Sequence, residues 1–144
     1  MNRILLLGAL IIGSIFLYGM GDIGGSPSEI PIPKQRFIAI IVDDLNIETY
    51  VDNLSFDGNT FIKGKLGKAS ITIPFKEIKT IEFIKQSEDK EKGKNSSRDI
   101  ILKIIFKDNK YKEININGNS KWYGKTDFGN LTIKSIDIKK IDFE

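Results

Sequence analysis

Aromatic and cationic side chains stand together in residues 121–127, which read Lys-Trp-Tyr-Gly-Lys-Thr-Asp. Such side chains are enriched at binding surfaces, because they combine apolar contact area with hydrogen bonding and charge. On a strand, every second side chain shares one face. The segment therefore predicts a patch that binds a glycan, a peptide or a lipid headgroup, formed by Lys121, Tyr123, Lys125 and Asp127.

A simpler interpretation of the same segment is packing alone. Adjacent residues on a strand face opposite ways, so Trp122, the one tryptophan of the chain, is expected in the core and Tyr123 on the surface. Neither interpretation excludes the other at this point.

The composition excludes several catalytic chemistries. The chain has no His and no Cys, so serine triads, thiol nucleophiles, disulfides and metal sites built from imidazole or thiolate are absent. Carboxylate chemistry or a Ser–Lys pair is what remains. We therefore predict a protein that is not an enzyme and that has no cofactor or metal. We predict no nucleic-acid partner either, since the net charge of +3 is spread among interleaved Lys, Asp and Glu.

Three further motifs favour structural interpretations. Asp43-Asp44 is typical of a turn, because neighbours on a strand point apart. Glu88-Asp89 falls in the charged segment 85–97, which reads as an exposed loop without the alternating ligands of a calcium site. Five residues separate Gly118 from Gly124-Lys125-Thr126, where a phosphate-binding loop has four between its glycines, and no helical pattern follows.

The N-terminus has the pattern of an export signal. After Arg3, residues 4–18 are apolar, and small residues precede a cleavage site after residue 21. Residues 1–21 are therefore predicted to be a signal peptide or a single membrane anchor, with membrane contact through residues 4–21 if the leader is uncleaved. Residues 22–36 contain three Pro and are predicted to be an extended linker. We expect an exported domain, in the periplasm or at the cell surface.

Residues 37–144 alternate with a period of two and predict an all-β domain. Single helical turns are expected at 76–79 and 135–138. Strands are predicted at 37–42, 47–56, 60–66, 70–73, 79–84, 100–106, 111–116, 121–126, 130–133 and 138–143.

The domain repeats itself. Residues 36–84, moved forward by 60 positions, match residues 96–144 at 12 of 49 positions without a gap. The match predicts an internal duplication, with a first unit at 37–84 and a second at 97–144. Gly58 and Gly118 are expected to supply a positive φ in equivalent turns. We expect the two antiparallel units to close one sandwich or barrel about a pseudo-twofold axis, with two small SH3-like or Sm-like barrels as the alternative.

A phrase in the second unit carries a resemblance. Residues 124–133 (Gly-Lys-Thr-Asp-Phe-Gly-Asn-Leu-Thr-Ile) and 138–143 (Ile-Lys-Lys-Ile-Asp-Phe) resemble the Phe-Gly-x-Leu-x-Ile-Pro and Ile-Lys-x-Ile-x-Phe phrases of small uncharacterised bacterial envelope proteins. Lys68-Ala69 and Lys134 depart from that pattern. The resemblance implies a β domain at the envelope and no known activity.

Taken together, these features predict a non-enzymatic envelope domain that mediates a protein–protein or structural interaction, with an envelope protein or a cell-surface component as partner. The alternative is a module that binds a saccharide or polyanionic ligand through the aromatic and Lys patch. An enzyme is the least favoured class.

Overall fold

The computed structural model describes residues 29–85 and 99–144. All ten predicted strands are present, and the two predicted helical turns are 3-10 turns at Phe75–Glu77 and Ser135–Asp137. The strands are β1 (Ala39–Asp43), β2 (Glu48–Phe56), β3 (Phe61–Leu66), β4 (Ala69–Pro74), β5 (Ile78–Ile84), β6 (Asp99–Phe106), β7 (Tyr111–Asn117), β8 (Lys121–Thr126), β9 (Gly129–Lys134) and β10 (Ile138–Phe143).

The strands form one curled, antiparallel sheet in the order β4-β3-β7-β6-β5-β10-β1-β2-β8-β9. The all-β prediction is confirmed, whereas the expected closure into a sandwich or barrel is wrong. Within the described residues, β4 and β9 are edge strands that do not pair with each other. The sheet is thus a half-barrel with two open edges.

The strand order is symmetric about its centre. Exchanging each of β1–β5 with the strand five places later reverses the order and leaves it otherwise unchanged. At the centre, β5 pairs with β10 through Ile81 opposite Ile141, which lie 60 residues apart. The bounds of β3, β4 and the first 3-10 turn, moved by 60 residues, are those of β8, β9 and the second turn.

Each β-hairpin of this symmetric pair packs beside a strand from the other half of the chain. Hairpin β3–β4 lies beside β7, with Lys65 opposite Asn115, and hairpin β8–β9 lies beside β2. Gly64 and Gly124 allow these close approaches. A Cβ at Gly64 would lie 2.9 Å from the Asn115 carbonyl oxygen, and one at Gly124 would overlap Val51 Cγ1. The crossing excludes two separate small barrels.

An aromatic cluster occupies the core on the inner side of the sheet. Trp122 is fully buried and stacks on Phe75, with ring centroids 5.9 Å apart and planes 10° apart. Phe56 and Phe83 contact the same indole at centroid distances of 4.9 and 6.0 Å. The predicted core position of Trp122 is confirmed.

Strand β2 carries a β-bulge that receives the N-terminal arm, residues 29–38. The register to β8 shifts between Asp52 and Ser55, where Asn53 has φ 51°. The Leu54 N–H donates to the Phe37 carbonyl at 3.0 Å, and the Phe37 ring packs edge-on against Phe75. Strand β7, the counterpart of β2, contains no residue with a positive φ.

The turns at Gly58 and Gly118 differ. Gly58 has φ +87° beside Asp57 at +49°, and this two-residue turn lets Phe56 and Asn59 exchange two backbone hydrogen bonds of 2.8 Å. Gly118 does not have a positive φ. Its turn is held by the Asn117 side chain, which accepts from the Asn119 N–H at 2.8 Å. The expectation of a positive φ at Gly118 is therefore wrong.

In the part of the chain that the structure describes, no helix is long and apolar enough to span a membrane. The predicted leader at residues 1–21 lies outside the described residues, as do residues 22–28 of the predicted linker and the Glu88-Asp89 segment.

Candidate functional site

Three of the four predicted patch residues lie on one face of β8. Lys121, Tyr123 and Lys125 alternate with the buried Trp122 and Gly124, so they project from the outer side of the sheet. Lys121 and Lys125 are exposed, and Tyr123 is half-buried.

Asp127, the fourth predicted residue, lies in the turn between β8 and β9 rather than on the strand face. Beside it in this two-residue turn, Phe128 is 91% exposed. The Thr126 hydroxyl holds the turn: it donates to the Gly129 carbonyl at 2.8 Å and accepts from the Gly129 N–H at 3.1 Å.

Strand β9 extends the outer surface with residues that the sequence did not single out. Lys134 lies opposite Lys121 and Thr132 lies opposite Tyr123 in the β8–β9 ladder. Residues opposite each other share a face of the sheet. We call this surface the outer hairpin face; its members are Lys121, Tyr123, Lys125, Thr132 and Lys134.

The outer hairpin face carries positive charge. Within residues 29–85 and 99–144, none of its three Lys side chains forms an ion pair with a carboxylate. Lys121 and Lys134 are a pair without cross-strand hydrogen bonds, the type with the shortest Cα separation, about 4.5 Å. Like charges placed so are destabilising. The arrangement leaves two ammonium groups available to an anionic partner.

A further cation, Arg36, lies at the border of this face, on the N-terminal arm. The Arg36 guanidinium donates two hydrogen bonds, of 2.8 and 2.7 Å, to the Asp52 carboxylate, and Asp52 lies opposite Lys125. The hydrogen bond from Arg36 lowers the pKa of Asp52 below its usual value, and the charge of Lys125 contributes. The same pair raises the pKa of Arg36.

On the inner side, the hairpin is anchored by a buried hydrogen-bond chain. The Trp122 indole N–H donates to the Ser135 hydroxyl at 2.8 Å, and the Ser135 and Ser120 hydroxyls are 2.8 Å apart. The Ser120 hydroxyl donates to the Asn117 carbonyl at 2.6 Å. Because Trp122 holds the strand from the core side, it holds in place the backbone that carries Lys121 and Tyr123.

Ser55, on the neighbouring strand β2, lies beside this face. It is fully buried, it lies opposite Tyr123 in the β2–β8 ladder, and its hydroxyl has no hydrogen-bond partner among the residues that the structure describes. A buried hydroxyl without a partner is an unfavourable feature that few sites in a protein carry.

Among the described residues, no group of three or more Asp or Glu side chains could hold a metal ion. Asp43 ends β1, and its carboxylate accepts from the Leu45 and Ile47 N–H groups at 2.9 and 3.0 Å. The predicted turn at Asp43-Asp44 is confirmed.

These features define a class of protein: an open ten-stranded antiparallel sheet of two interleaved halves, with a basic and aromatic outer face on one hairpin. A protein-family model described as "Uncharacterised protein" matches residues 33–144, and the chain belongs to that family. It is also 23% identical over 129 residues to an "Uncharacterized protein" of Aquifex aeolicus (strain VF5), covering 90% of this chain and 88% of that protein. The resemblance to small uncharacterised bacterial proteins is confirmed. No solved structure matches the chain significantly.

Proposed function

We propose that this chain is a non-enzymatic binding domain of the cell envelope, which contacts an acidic surface of an envelope protein through the outer hairpin face. The observation that carries the proposal is the placement of Lys121 directly opposite Lys134 without an acidic partner for either in the described residues. An acidic group that reaches both ammonium ions relieves their repulsion and gains two charge-assisted hydrogen bonds.

The shape of the face supports a protein contact. Tyr123 lies half-buried between the Lys residues and presents an apolar ring with a polar tip, a combination enriched at protein interfaces. The hairpin that carries it is anchored in the core by Trp122, so little ordering is needed upon binding.

The experiment that tests this proposal compares two hairpins of the same chain. The full chain with Tyr123→Ala and Lys125→Ala is used to capture partners from envelope extract. Its control carries Lys63→Ala and Lys65→Ala, the positions 60 residues earlier on β3, where both side chains are exposed. We expect the first variant to lose the captured partner and the control to retain it. Unchanged capture by both variants, with the fold intact, would remove the outer hairpin face as the binding site.

A second candidate is binding of a polyanionic saccharide, which Tyr123 favours because an aromatic ring flanked by Lys suits a sugar ring that carries acidic groups. Titration with dextran sulfate, with uncharged dextran as control, distinguishes the two. Salt-sensitive binding of dextran sulfate that is lost in Lys121→Ala/Lys134→Ala supports the saccharide. Absence of binding, together with capture of an acidic protein, supports the first candidate.

The envelope location rests on the leader pattern of residues 1–21. Mass spectrometry of the native protein is expected to show either an N-terminus at Asp22 or the full-length chain in the membrane fraction. Full-length chain in the soluble cytoplasmic fraction would overturn the envelope location.

We also propose that an internal duplication produced the two halves. The 60-residue offset shared by sequence identities and strand bounds supports it, as does the symmetric strand order. In a single-unit ancestor, the β3–β4 hairpin would have paired with a second copy. A chain consisting of one unit is therefore expected to fold only as a homodimer, and a folded monomer would contradict this origin.

A further inference from the structure

The β1–β2 turn and the β6–β7 turn share one backbone geometry. In the first turn, the Asn46 N–H donates to the Asp43 carbonyl at 3.0 Å, and in the second the Asn109 N–H donates to the Phe106 carbonyl at 2.9 Å. Both asparagines have a positive φ, of 61° and 66°. They lie 63 residues apart rather than 60, because β6 has eight residues and β1 has five. The two turns are therefore equivalent positions of the two halves.

Equivalent turns carry apolar residues in one half and Lys residues in the other. Ile47, which is 54% exposed, stands where the β6–β7 turn has Lys110, and Leu45 beside it is 79% exposed. In the hairpin turns, the exposed Phe128 stands where the β3–β4 turn has Lys68. Because Lys satisfies the same turns, the fold does not require apolar side chains there. Exposed apolar side chains that lie together mark a contact surface.

The three apolar residues lie at one end of the molecule. The β1–β2 turn precedes β2, and the β8–β9 turn follows β8, the antiparallel neighbour of β2. Both turns therefore lie at the same end of this strand pair, and we call residues 43–48 and 126–129 the acidic end. In the same way, the β6–β7 turn precedes β7 and the β3–β4 turn follows β3, its antiparallel neighbour. We call residues 106–111 and 66–69 the basic end.

The acidic end and the basic end lie at opposite ends of the central strands. Three antiparallel pairings, β1–β10, β10–β5 and β5–β6, connect β1 with β6 across the sheet. These two strands therefore run in opposite directions. Since the β1–β2 turn follows β1 and the β6–β7 turn follows β6, the two turns project from opposite sides of the molecule.

Negative charge surrounds the apolar residues of the acidic end. Its four acidic residues, with no Lys or Arg among them, are Asp43, Asp44, Glu48 and Asp127. Asp44 pairs with Lys85, whereas neither Glu48 nor Asp127 forms an ion pair within residues 29–85 and 99–144. A second acidic end would be repelled here, as would a bilayer rich in anionic lipids.

The basic end complements this surface. Its charged residues are three Lys and one Asp, namely Lys68, Lys107, Lys110 and Asp108. None of the three Lys side chains forms an ion pair with a carboxylate of the described chain. Leu66 and Tyr111 are exposed at the same end. The basic end thus offers apolar side chains among positive charges.

We propose that the acidic end of one copy of this chain binds the basic end of the next copy, head to tail. Leu66 and Tyr111 of one copy then cover the apolar residues of the acidic end, and the free carboxylates meet Lys side chains. Opposite charges favour this pairing over a contact between like ends. Because each copy keeps one free end, assembly continues to a ring or a filament.

This assembly does not depend on what the outer hairpin face binds, because the two ends contain no residue of that face. Lys121→Ala/Lys134→Ala is therefore expected to assemble as the unchanged chain does, even where it no longer binds a partner. Loss of assembly in this variant, with assembly retained when the basic end is altered, would overturn the proposal.

Two double variants of the full chain, each blocking one end, test the contact. Ile47→Lys/Phe128→Lys gives the acidic end the residue type that the other half has in the same turns, so the fold is expected to tolerate it. Lys68→Glu/Lys110→Glu reverses charge at the basic end. Sedimentation velocity in mild detergent is expected to show oligomers that grow with concentration for the unchanged chain and monomers for each variant alone. Circular dichroism checks that both variants keep the fold.

An equimolar mixture of the two variants tests the head-to-tail arrangement directly. Each variant supplies the end that the other lacks, so the mixture is expected to form a dimer, with twice the monomer mass, that does not grow further with concentration. A mixture that stays monomeric overturns the proposal, as does an unchanged chain that is monomeric at every concentration. Assembly of Lys68→Glu/Lys110→Glu alone would also overturn it, because the basic end would then be dispensable.

A lipid surface is the alternative occupant of the acidic end, and thiol labelling distinguishes it. The chain has no Cys, so Phe128→Cys introduces a single thiol there. Protection of this thiol from a maleimide that rises with protein concentration, without vesicles, supports the contact between copies. Protection by phosphatidylcholine vesicles, in a chain that sediments as a monomer, would assign the acidic end to lipid and overturn the proposal.

Discussion

The β3–β4 and β8–β9 hairpins have the same bounds 60 residues apart, but they fill the core with different side chains. The first combines Ile62 on the strand with Phe75 in the 3-10 turn, and the second combines Trp122 with Ser135. The large ring has thus changed places between strand and turn. The comparison teaches that this core constrains the combined side-chain volume of the two positions more than the residue type at either one.

The two hairpins differ still more on the outside. The first presents Lys63 and ends at Pro74, whereas the second presents Tyr123 and ends at Lys134. The first turns through Gly67-Lys68, while the second displays the exposed Phe128. A shared fold with divergent outer faces is what we expect where one copy has acquired a contact that the other lacks.

The largest effect is expected from substitutions of Trp122, the large core ring of the second hairpin. Trp122→Ala removes an indole that contacts three aromatic rings and leaves Ser135 without its donor, so the free energy of unfolding is expected to fall by about 4 kcal/mol. Chemical denaturation measures the loss. In the double variant Trp122→Ile/Ser135→Phe, which copies the first hairpin, stability is expected to exceed that of Trp122→Ile alone. A double variant no more stable than Trp122→Ile would show that the two positions are not coupled.

The next effect concerns Gly64 and Gly124, where each hairpin packs against a strand of the other half of the chain. Gly124→Ala places a methyl group against Val51, a buried β-branched side chain with few rotamers, and is expected to cost about 2 kcal/mol. At Gly64 the overlap is shallower. The nearest atoms are Ile114 Cδ1, the end of a longer side chain, at 2.8 Å, and the Asn115 carbonyl oxygen at 2.9 Å, whereas Val51 Cγ1 lies 2.0 Å from a Cβ at Gly124. Thermal unfolding is expected to show a smaller loss for Gly64→Ala. Val51→Ala removes the methyl group that clashes, so the double variant Val51→Ala/Gly124→Ala is expected to lose less stability than the sum of the two single losses. Strict additivity of the two losses would contradict the clash.

The strands and turns of this fold were predictable because their signals are local. Alternating apolar residues, and for β1 a continuous apolar run, located all ten strands, and the break before Phe75 located the first 3-10 turn. The pairing of β3 with β7 and of β8 with β2 was not predictable, since it joins residues of opposite halves and leaves only the glycines as a trace. Gly118 shows the limit of turn signals, because the Asn117 side chain makes a positive φ there unnecessary.

The sequence predicted the candidate site only in part. Periodicity placed Lys121, Tyr123 and Lys125 on one face, because that requires only the strand. Thr132 and Lys134 were missed, since their proximity depends on the β8–β9 register. The two-residue turn between the strands is the signal that would have given that register.

Two buried serines provide a smaller comparison. Ser135 accepts the indole hydrogen bond, whereas the Ser55 hydroxyl has no partner in the described part of the chain. Ser135→Ala is therefore expected to destabilise the fold by about 1 to 2 kcal/mol, because it leaves the Trp122 N–H unsatisfied. Ser55→Ala is expected to be neutral or to stabilise by up to about 1 kcal/mol, because it removes a desolvated hydroxyl. Equal losses from both variants in denaturant titrations would indicate that Ser55 is satisfied in solution.

The smallest effect distinguishes β2, with its bulge at Asn53, from its counterpart β7. Only β2, of this pair, receives the N-terminal arm, and the exposed Arg36–Asp52 ion pair fastens the arm there. Because the hydrogen bond from Arg36 lowers the pKa of Asp52 below 3.8, the pair is fully formed at neutral pH and is lost as the pH falls through that lowered value. The high pKa of Arg36 keeps the guanidinium charged throughout this range.

A carboxyl titration followed by NMR is expected to show the pKa of Asp52 rising towards its usual value in Arg36→Ala, with global stability little changed, since exposed ion pairs contribute little. Lys34→Ala, on the same arm, is the control and should leave the pKa of Asp52 where it is. If Arg36→Ala also leaves it unchanged, the arm is held by the Phe37 contacts alone, and the difference between β2 and β7 owes nothing to charge.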